Sequence, residues 1–197
     1  MNGNRAKKYR DNARVVITDE CNKDCDFCCM KDENIHDSFK VVAPMYVANA
    51  QYDTVMITGG EPMLCLDKVI MFSSLIKYRN ENTKIYVYTN GELLSRHDAS
   101  TMKLAGVTGL TVGPKKMMGI DDRDSLAFIH SCLMPIRILI QDILIGQRFI
   151  DWAGDQQIPY RTWTLGETCH ERDDEDRYRL SWERTSNEDT RHTIKPV

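Results

Sequence analysis

Cys21, Cys25 and Cys28 are the residues of this sequence best placed to do chemistry. They lie in Cys21-Asn-Lys-Asp-Cys25-Asp-Phe-Cys28, directly after the apolar run Val15-Val16-Ile17. Spacings this short let one loop wrap a single inorganic centre, each sulfur turned inward as a thiolate. Three ligands do not complete an iron–sulfur cube: one iron is left without a protein ligand, free to take an amine and a carboxylate from a small molecule. Zinc is the alternative. Structural zinc takes four ligands, usually as two separated pairs, and the fourth would have to come from Cys29 or His36. Cys29 directly follows Cys28, so in extended backbone their side chains point opposite ways. Plain buried thiols are a third reading.

The stretch Ile17-Thr18-Asp19-Glu20-Cys21-Asn22-Lys23-Asp24-Cys25-Asp26-Phe27-Cys28 resembles the signature of the radical S-adenosylmethionine (SAM) superfamily. The match includes the aromatic residue before the third cysteine and the asparagine after the first. A second motif of that family follows at the expected place, Thr58-Gly59-Gly60-Glu61-Pro62, at the end of the apolar run Val55-Met56-Ile57. A lone Gly-Gly-Glu-Pro is an ordinary turn; together with the three-cysteine loop it is family evidence.

The resemblance implies that Cys21, Cys25 and Cys28 hold a [4Fe–4S] cluster whose fourth iron chelates the methionyl amine and carboxylate of SAM. Reductive cleavage then gives methionine and a 5′-deoxyadenosyl radical, which abstracts hydrogen from an unactivated carbon. The cofactors carry that chemistry, while the protein supplies position and exclusion of competing donors. Phe27 is expected near the adenine, or as a cover that keeps water from the cluster. Gly59 and Gly60 lack Cβ and allow backbone to come close to a ligand. Glu61 offers oxygen acceptors to the methionyl amine, and Pro62 fixes the turn. Thr89-Asn90-Gly91 ends a strand that borders SAM in the family; as sequence it is a turn signal. The resemblance also implies a low-potential electron donor, a flavodoxin or ferredoxin.

Other polar residues are weaker candidates. Lys115 and Lys116 are read either as contacts to the SAM carboxylate or an anionic substrate, or as solvated lysines, and Gln141 stands at another strand end. The ribose-contacting pattern of the family is not plain in Thr111-Val112-Gly113-Pro114. Cys65 and Cys132 lie in apolar contexts and are expected to be buried. Cys169, beside His170, is scattered from the others, so no C-terminal group of cysteines is present for auxiliary clusters.

Elements must place these residues together. Strands are expected at Arg14–Thr18, Thr54–Thr58, Lys84–Thr89, Gly109–Gly113, Ile136–Gln141 and Ile158–Thr164, each rich in β-branched or aromatic residues. Between them Leu66, Val69, Ile70, Leu75 and Ile76 recur at helical spacing, and Leu93, Leu94, Met102 and Leu104 form a weaker pattern closed by Gly106. Helices are also expected over Ser125–Leu133 and Gln147–Ala153, with Pro44 opening the first helix. Alternating strands and helices predict parallel pairing with right-handed crossovers. Too few units are present to close an eight-stranded barrel. The resemblance implies a partial (βα)6 barrel, open on one side, and the strand count agrees. Sites in such folds gather at the C-terminal ends of the strands, where Cys21, Gly59, Thr89, Gly113 and Gln141 all fall.

At 197 residues the chain suits one α/β domain with a substantial core plus a tail. We read residues 1–12 as a polar N-terminal segment, 13–166 as the core domain, and 167–197 as a charged C-terminal extension, either a solvated tail or a flap over the open barrel. Hydrophobic content of 42%, charged content of 28% and net charge −3 argue against a generally basic nucleic-acid-binding surface. The basic residues Arg5, Lys7, Lys8 and Arg10 read as a solvated terminus. Seven cysteines without a signal-peptide stretch predict a reducing, cytoplasmic setting. No apolar run approaches membrane-spanning length, since Arg137, Gln141 and Asp142 break the nearest candidate, Ile136 to Ile145.

The functional expectation is a minimal, single-cluster radical SAM enzyme. Its substrate is either a partner protein or peptide, or a nucleotide-like small molecule. The competing class is a non-catalytic module in which the cysteines form a structural zinc site or a redox-sensing cluster.

Overall fold

The computed structural model describes residues 11–26, 28–115, 118–140, 143–162 and 175–182. The strands are β1 (Asn12–Thr18), β2 (Lys40–Val42), β3 (Thr54–Gly59), β4 (Lys84–Thr89), β5 (Gly109–Val112), β6 (Ile136–Ile140), β7 (Tyr160–Thr162) and β8 (Glu175–Leu180). The helices are α1 (Glu33–Asp37), α2 (Pro44–Asn49), α3 (Leu66–Arg79), α4 (Arg96–Leu104), α5 (Ile120–Phe128) and α6 (Ile143–Asp155). One eight-stranded sheet has the order β2-β8-β1-β3-β4-β5-β6-β7, and every pairing in it is parallel. Parallel neighbours need crossovers, and α3 to α6 supply those from β3 through β7 in turn. β2 and β7 are the edges, so β1 and β3 to β7 form a partial (βα)6 barrel that stays open on one side.

The sheet's two faces divide the sequence by alternation. Val15, Ile57, Val87, Leu110 and Ile138 are buried on the face that the helices cover. α3 answers with Val69, Phe72 and Ile76, spaced so that all three share one side of the helix. Ends are fixed locally: Pro44 stands at the first position of α2, and Ser95 and Asp98 close a capping box on α4. Paired residues in a parallel ladder share a face. Arg14 opposite Met56, Thr111 between Tyr88 and Arg137, and Leu139 opposite Arg161 therefore trace the inner face of the barrel.

Several expectations need amendment. The chain's first helix is α1, a five-residue helix with no buried side chain, so it leaves no apolar period to read; Pro44 opens α2 instead. β2 has only three residues and pairs solely with β8. Residues 175–180, read from sequence as part of the charged extension, form β8 inside the sheet between β2 and β1. Their charge hid them, and the fold satisfies it by pairing. Glu175 accepts from Arg14 Nε at 2.9 Å, while Tyr178 and Leu180 are buried on the other face. Cys132 is exposed, not buried; it lies in the π-type turn Ile129–Leu133 that follows α5, whose buried residue is Ile129. Cys65 is partly buried. Among the described residues no helix is long and apolar enough to cross a membrane.

Candidate functional site

At the C-terminal ends of the strands lies a cavity of about 300 Å³, within the size range of small-molecule sites. Cys21, Cys25 and Cys28 all line it, together with Gly59, Gly60 and Glu61 from the end of β3 and Thr89 and Asn90 from the end of β4. The sequence separates these groups by tens of residues, and parallel strand order brings them to one end.

The cysteine loop is bound into place mainly by backbone. Gly60 N–H donates to Thr18 O at 2.8 Å and Glu61 N–H to Glu20 O at 2.7 Å, so the end of β3 is laced to the start of the loop. The glycines are required for that lacing. A Cβ on Gly60 would stand 2.0 Å from Glu20 O and 2.7 Å from Asp19 O, and one on Gly59, whose φ is +133°, would stand 2.2 Å from Thr18 O. The close approach for which these positions lack a side chain is therefore to the protein's own backbone. On the other flank Asn90 Nδ2 donates to Asn22 Oδ1 at 2.7 Å, and Lys23 pairs with Glu92 at 2.7 Å.

Glu61 is the buried pivot, only 1% exposed. Its Oε1 accepts from Thr89 Oγ1 at 2.6 Å and from Met63 N at 3.1 Å, and its Oε2 accepts from Asn90 N at 2.7 Å. A carboxylate has about four lone-pair positions, so Glu61 caps the turn Pro62–Cys65 and joins two strand ends while still facing the cavity. Thr89 and Asn90 also line the cavity, yet their side chains are engaged within the protein: Thr89 Oγ1 also accepts from Gly91 N at 3.0 Å, and Asn90 Oδ1 accepts from Glu92 N at 3.0 Å. Pro62 is buried at the start of its turn and is not a lining residue. Phe27, Lys116, Gln141 and Cys169 lie outside the described residues, as do the side chain of Cys29 and the end of the expected sixth strand beyond Thr162.

Of the far wall only Lys115 was anticipated as a candidate contact. Arg14, Tyr88, Thr111, Arg137, Leu139 and Arg161 line it, with Lys115 beside them. The signal was present: an arginine at an inward position of an otherwise apolar strand, as in Ile136-Arg-Ile-Leu-Ile140, interrupts a segment that in a parallel sheet is usually apolar throughout. Arg14 is held by Glu175 and lies over the Tyr88 ring at 5.3 Å. Burial pulls its pKa down, but the hydrogen bond and charge of Glu175 outweigh that, and it remains a cation.

The donor set fits an iron–sulfur cluster. The three thiols are free and share one cavity. In a cubane each thiolate takes its own iron, so the sulfurs stand wider apart than around zinc. Burial pushes the Cys21 thiol up, a backbone hydrogen bond at Lys23 opposes it, and the negative charges of Glu61, Cys28 and Cys25 add to the rise. A thiol raised in this way gives up its proton when a cationic centre binds it.

A family model described as the radical SAM superfamily matches residues 15–117, just over half of the chain. Among curated relatives, a probable GTP 3′,8-cyclase of Methanococcus aeolicus is 31% identical over 107 residues, covering 50% of this chain and 35% of that protein. A second, of Saccharolobus islandicus, is 32% identical over 148 residues, covering 65% of this chain and 46% of its own length. The chain thus spans between a third and a half of the relatives it matches. Two solved structures share the fold. Streptococcus suis SuiB bound to S-adenosylmethionine has TM-score 0.59 at 13% identity, over 81% of this chain and 40% of that one. The Escherichia coli coproporphyrinogen III oxidase HemN, a radical SAM enzyme, has TM-score 0.54 at 12% identity, over 82% and 46%.

Proposed function

This chain belongs to the radical SAM superfamily, and we propose that it carries the cofactor-cleaving site of an enzyme that abstracts a hydrogen atom from a small anionic, nucleotide-like substrate. The observation that supports this most is the meeting of Cys21, Cys25 and Cys28 with Gly59, Gly60 and Glu61 around one cavity. Enzymes of the superfamily use a [4Fe–4S] cluster and SAM. When bound, that pair supplies an electron and a cleavable carbon–sulfur bond, and hence a 5′-deoxyadenosyl radical. The rest is the work of this chain. Cys21, Cys25 and Cys28 hold the cluster. Glu61 offers its remaining lone pair to the methionyl ammonium, and Thr89 and Asn90 keep that carboxylate in place. Gly59, Gly60 and Pro62 shape the turn that brings it there, and the superfamily resemblance alone assigns Phe27 to the adenine of SAM or to covering the cluster.

The substrate reading rests on the opposite wall. Arg137 and Arg161 have no hydrogen-bond or ion-pair partner among the described residues, and guanidinium groups facing a cavity suit phosphate or carboxylate. The curated relatives are named for a reaction of GTP, which fits an anionic nucleotide. A partner protein or peptide is the other substrate considered, and a flavodoxin or ferredoxin is the proposed electron donor.

The test is anaerobic reconstitution with iron and sulfide, reduction, and addition of SAM. Production of 5′-deoxyadenosine and the cluster's electron paramagnetic resonance are followed, with Cys25→Ala as control. We expect deoxyadenosine from the wild type and none from the variant. A fully loaded cluster whose spectrum ignores SAM and yields no product would sink the enzyme reading and favour a redox-sensing module.

A further inference from the structure

The loop that carries the three thiols is gripped from a direction that the two motifs do not explain. β8 pairs with β1 in register Asn12–Glu175 through Val16–Arg179, so it runs alongside β1 to the point where the cysteine loop departs. There Arg179 Nη1 binds Asp19 Oδ2, two residues before Cys21. Trp182 Nε1 donates to Ile17 O at 3.4 Å, and Lys68 lies over the Trp182 ring at 5.6 Å, which fastens the indole to α3. The Asp19 side chain is 56% exposed but that of Arg179 only 16%. The Nη2 atom of Arg179 is buried with no hydrogen-bond partner among the described residues. Leaving a charged donor desolvated and unpaired is costly. A neutral residue at this position would avoid that cost.

We propose that Arg179 is a positioning residue for the cluster-binding loop: through Asp19 it fixes the backbone before Cys21, so that the C-terminal strand β8 sets how firmly the cluster is held. The proposal rests on the reading that Cys21, Cys25 and Cys28 bind the cluster. It completes a symmetrical grip. One side of segment 18–20 is laced by Gly60 and Glu61 N–H groups just after β3; the other is held by Arg179 of β8 and by Trp182, two residues past its end. The β3 side is backbone, which a substitution can only break by steric clash, whereas the β8 side is made of side chains that can be exchanged. Segment 175–182 is then part of the cofactor site, although it follows both sequence motifs by more than a hundred residues.

The experiment reconstitutes the full chain anaerobically and measures the rate at which a ferrous chelator strips iron, the cluster's paramagnetic spectrum with and without SAM, and the thermal midpoint. It compares wild type, Arg179→Ala, Asp19→Asn, the double variant, and the charge exchange Asp19→Arg with Arg179→Asp. Removing a residue that supports a metal ligand typically weakens metal binding by about 10–100-fold. Iron release is expected to be faster by about tenfold in either single variant and no faster in the double variant, since the two act as one unit. The exchange should recover slow release and the SAM-dependent spectrum, which a general loss of packing would not do. Should Arg179→Ala fail to fold, Asp19→Asn, at a half-exposed position, carries the same comparison. Iron release at the wild-type rate in Asp19→Asn, or additive effects in the double variant, overturns the proposal. A wild-type protein that takes up no four-iron cluster overturns the superfamily-based reading itself, an outcome visible before any variant is compared.

Discussion

The two ends of the cavity are built on opposite principles. Around the thiols almost every polar group is already engaged: Glu61 takes three donors, Asn90 ties to Asn22, and the glycine turn is laced to segment 18–20. Around Arg137 and Arg161 the described residues supply no partner. An inorganic cofactor with fixed metal–sulfur geometry needs a frame whose own conformation costs nothing further on binding. A substrate end gains by leaving strong donors unmet, because their hydrogen bonds are then made only to the ligand. The contrast predicts that substitutions at one end cost stability and cofactor, and at the other end affinity alone.

The largest effect is expected at Gly60. With a Cβ forced to 2.0 Å from Glu20 O, Gly60→Ala must push the cysteine loop away from β3. Overpacking at sites that cannot relax destabilises by about 3 kcal/mol or more, and iron content should fall with it. Urea unfolding and iron analysis check this. A variant with wild-type stability and a full cluster would mean that the lacing does not hold the loop.

Next is the arginine wall. Arg137→Gln with Arg161→Gln should leave the unfolding midpoint and iron content unchanged while weakening binding of the proposed anionic substrate by about 10- to 100-fold, as loss of one or two charge-assisted hydrogen bonds implies. Titration calorimetry with GTP, beside guanosine as the uncharged control, measures it. Equal binding of GTP by variant and wild type would remove the wall from the substrate site.

How far the sequence disclosed this architecture depends on whether a residue's role was local. The cysteine loop and the glycine turn were legible because fixed spacing encodes them, and the six strands of the barrel because apolar runs do. Glu61 was legible as a motif member. Its three internal donors, from Met63, Thr89 and Asn90, were not, since two come from the last residue of β4 and the one after it, and the place of β4 beside β3 is a matter of tertiary order. Arg137 served in the sequence only as a charge that interrupts an apolar stretch, and the strand register was needed to turn it inward. β8 was hidden because its stability comes from pairing Glu175 with Arg14 and Tyr178 with Tyr52, contacts across more than 120 positions. No local pattern carries such partners.

A smaller effect separates the thiols themselves. Burial pushes the Cys65 thiol up to about 11, well above its ordinary value. A thiol that stays protonated in the fold while the unfolded chain ionises leaves the unfolded state with fewer bound protons. Stability therefore falls as pH rises from about 9 to about 11. Cys65→Ala should flatten that part of the stability–pH curve in chemical unfolding at fixed salt. An unchanged slope would place the alkaline loss elsewhere.

The smallest effect tests whether the thiol end is held by lacing or by charge. Lys23 and Glu92 meet at 2.7 Å, but their side chains are 27% and 19% exposed, and ion pairs this near to solvent contribute less than about 1 kcal/mol. Lys23→Ala should thus shift the unfolding midpoint only slightly and leave iron content and chelator release at wild-type values. The nearby Asn22–Asn90 hydrogen bond and the β3 lacing persist in that variant. High salt should likewise release iron far more slowly than Gly60→Ala does, because most of the lacing is backbone hydrogen bonding and the arginine end of the Arg179–Asp19 pair is buried. If Lys23→Ala or molar salt released iron as fast as Gly60→Ala, the loop would be held by electrostatic attraction. The contrast between a preorganised thiol end and a ligand-completed arginine end would then fail at its better-connected end.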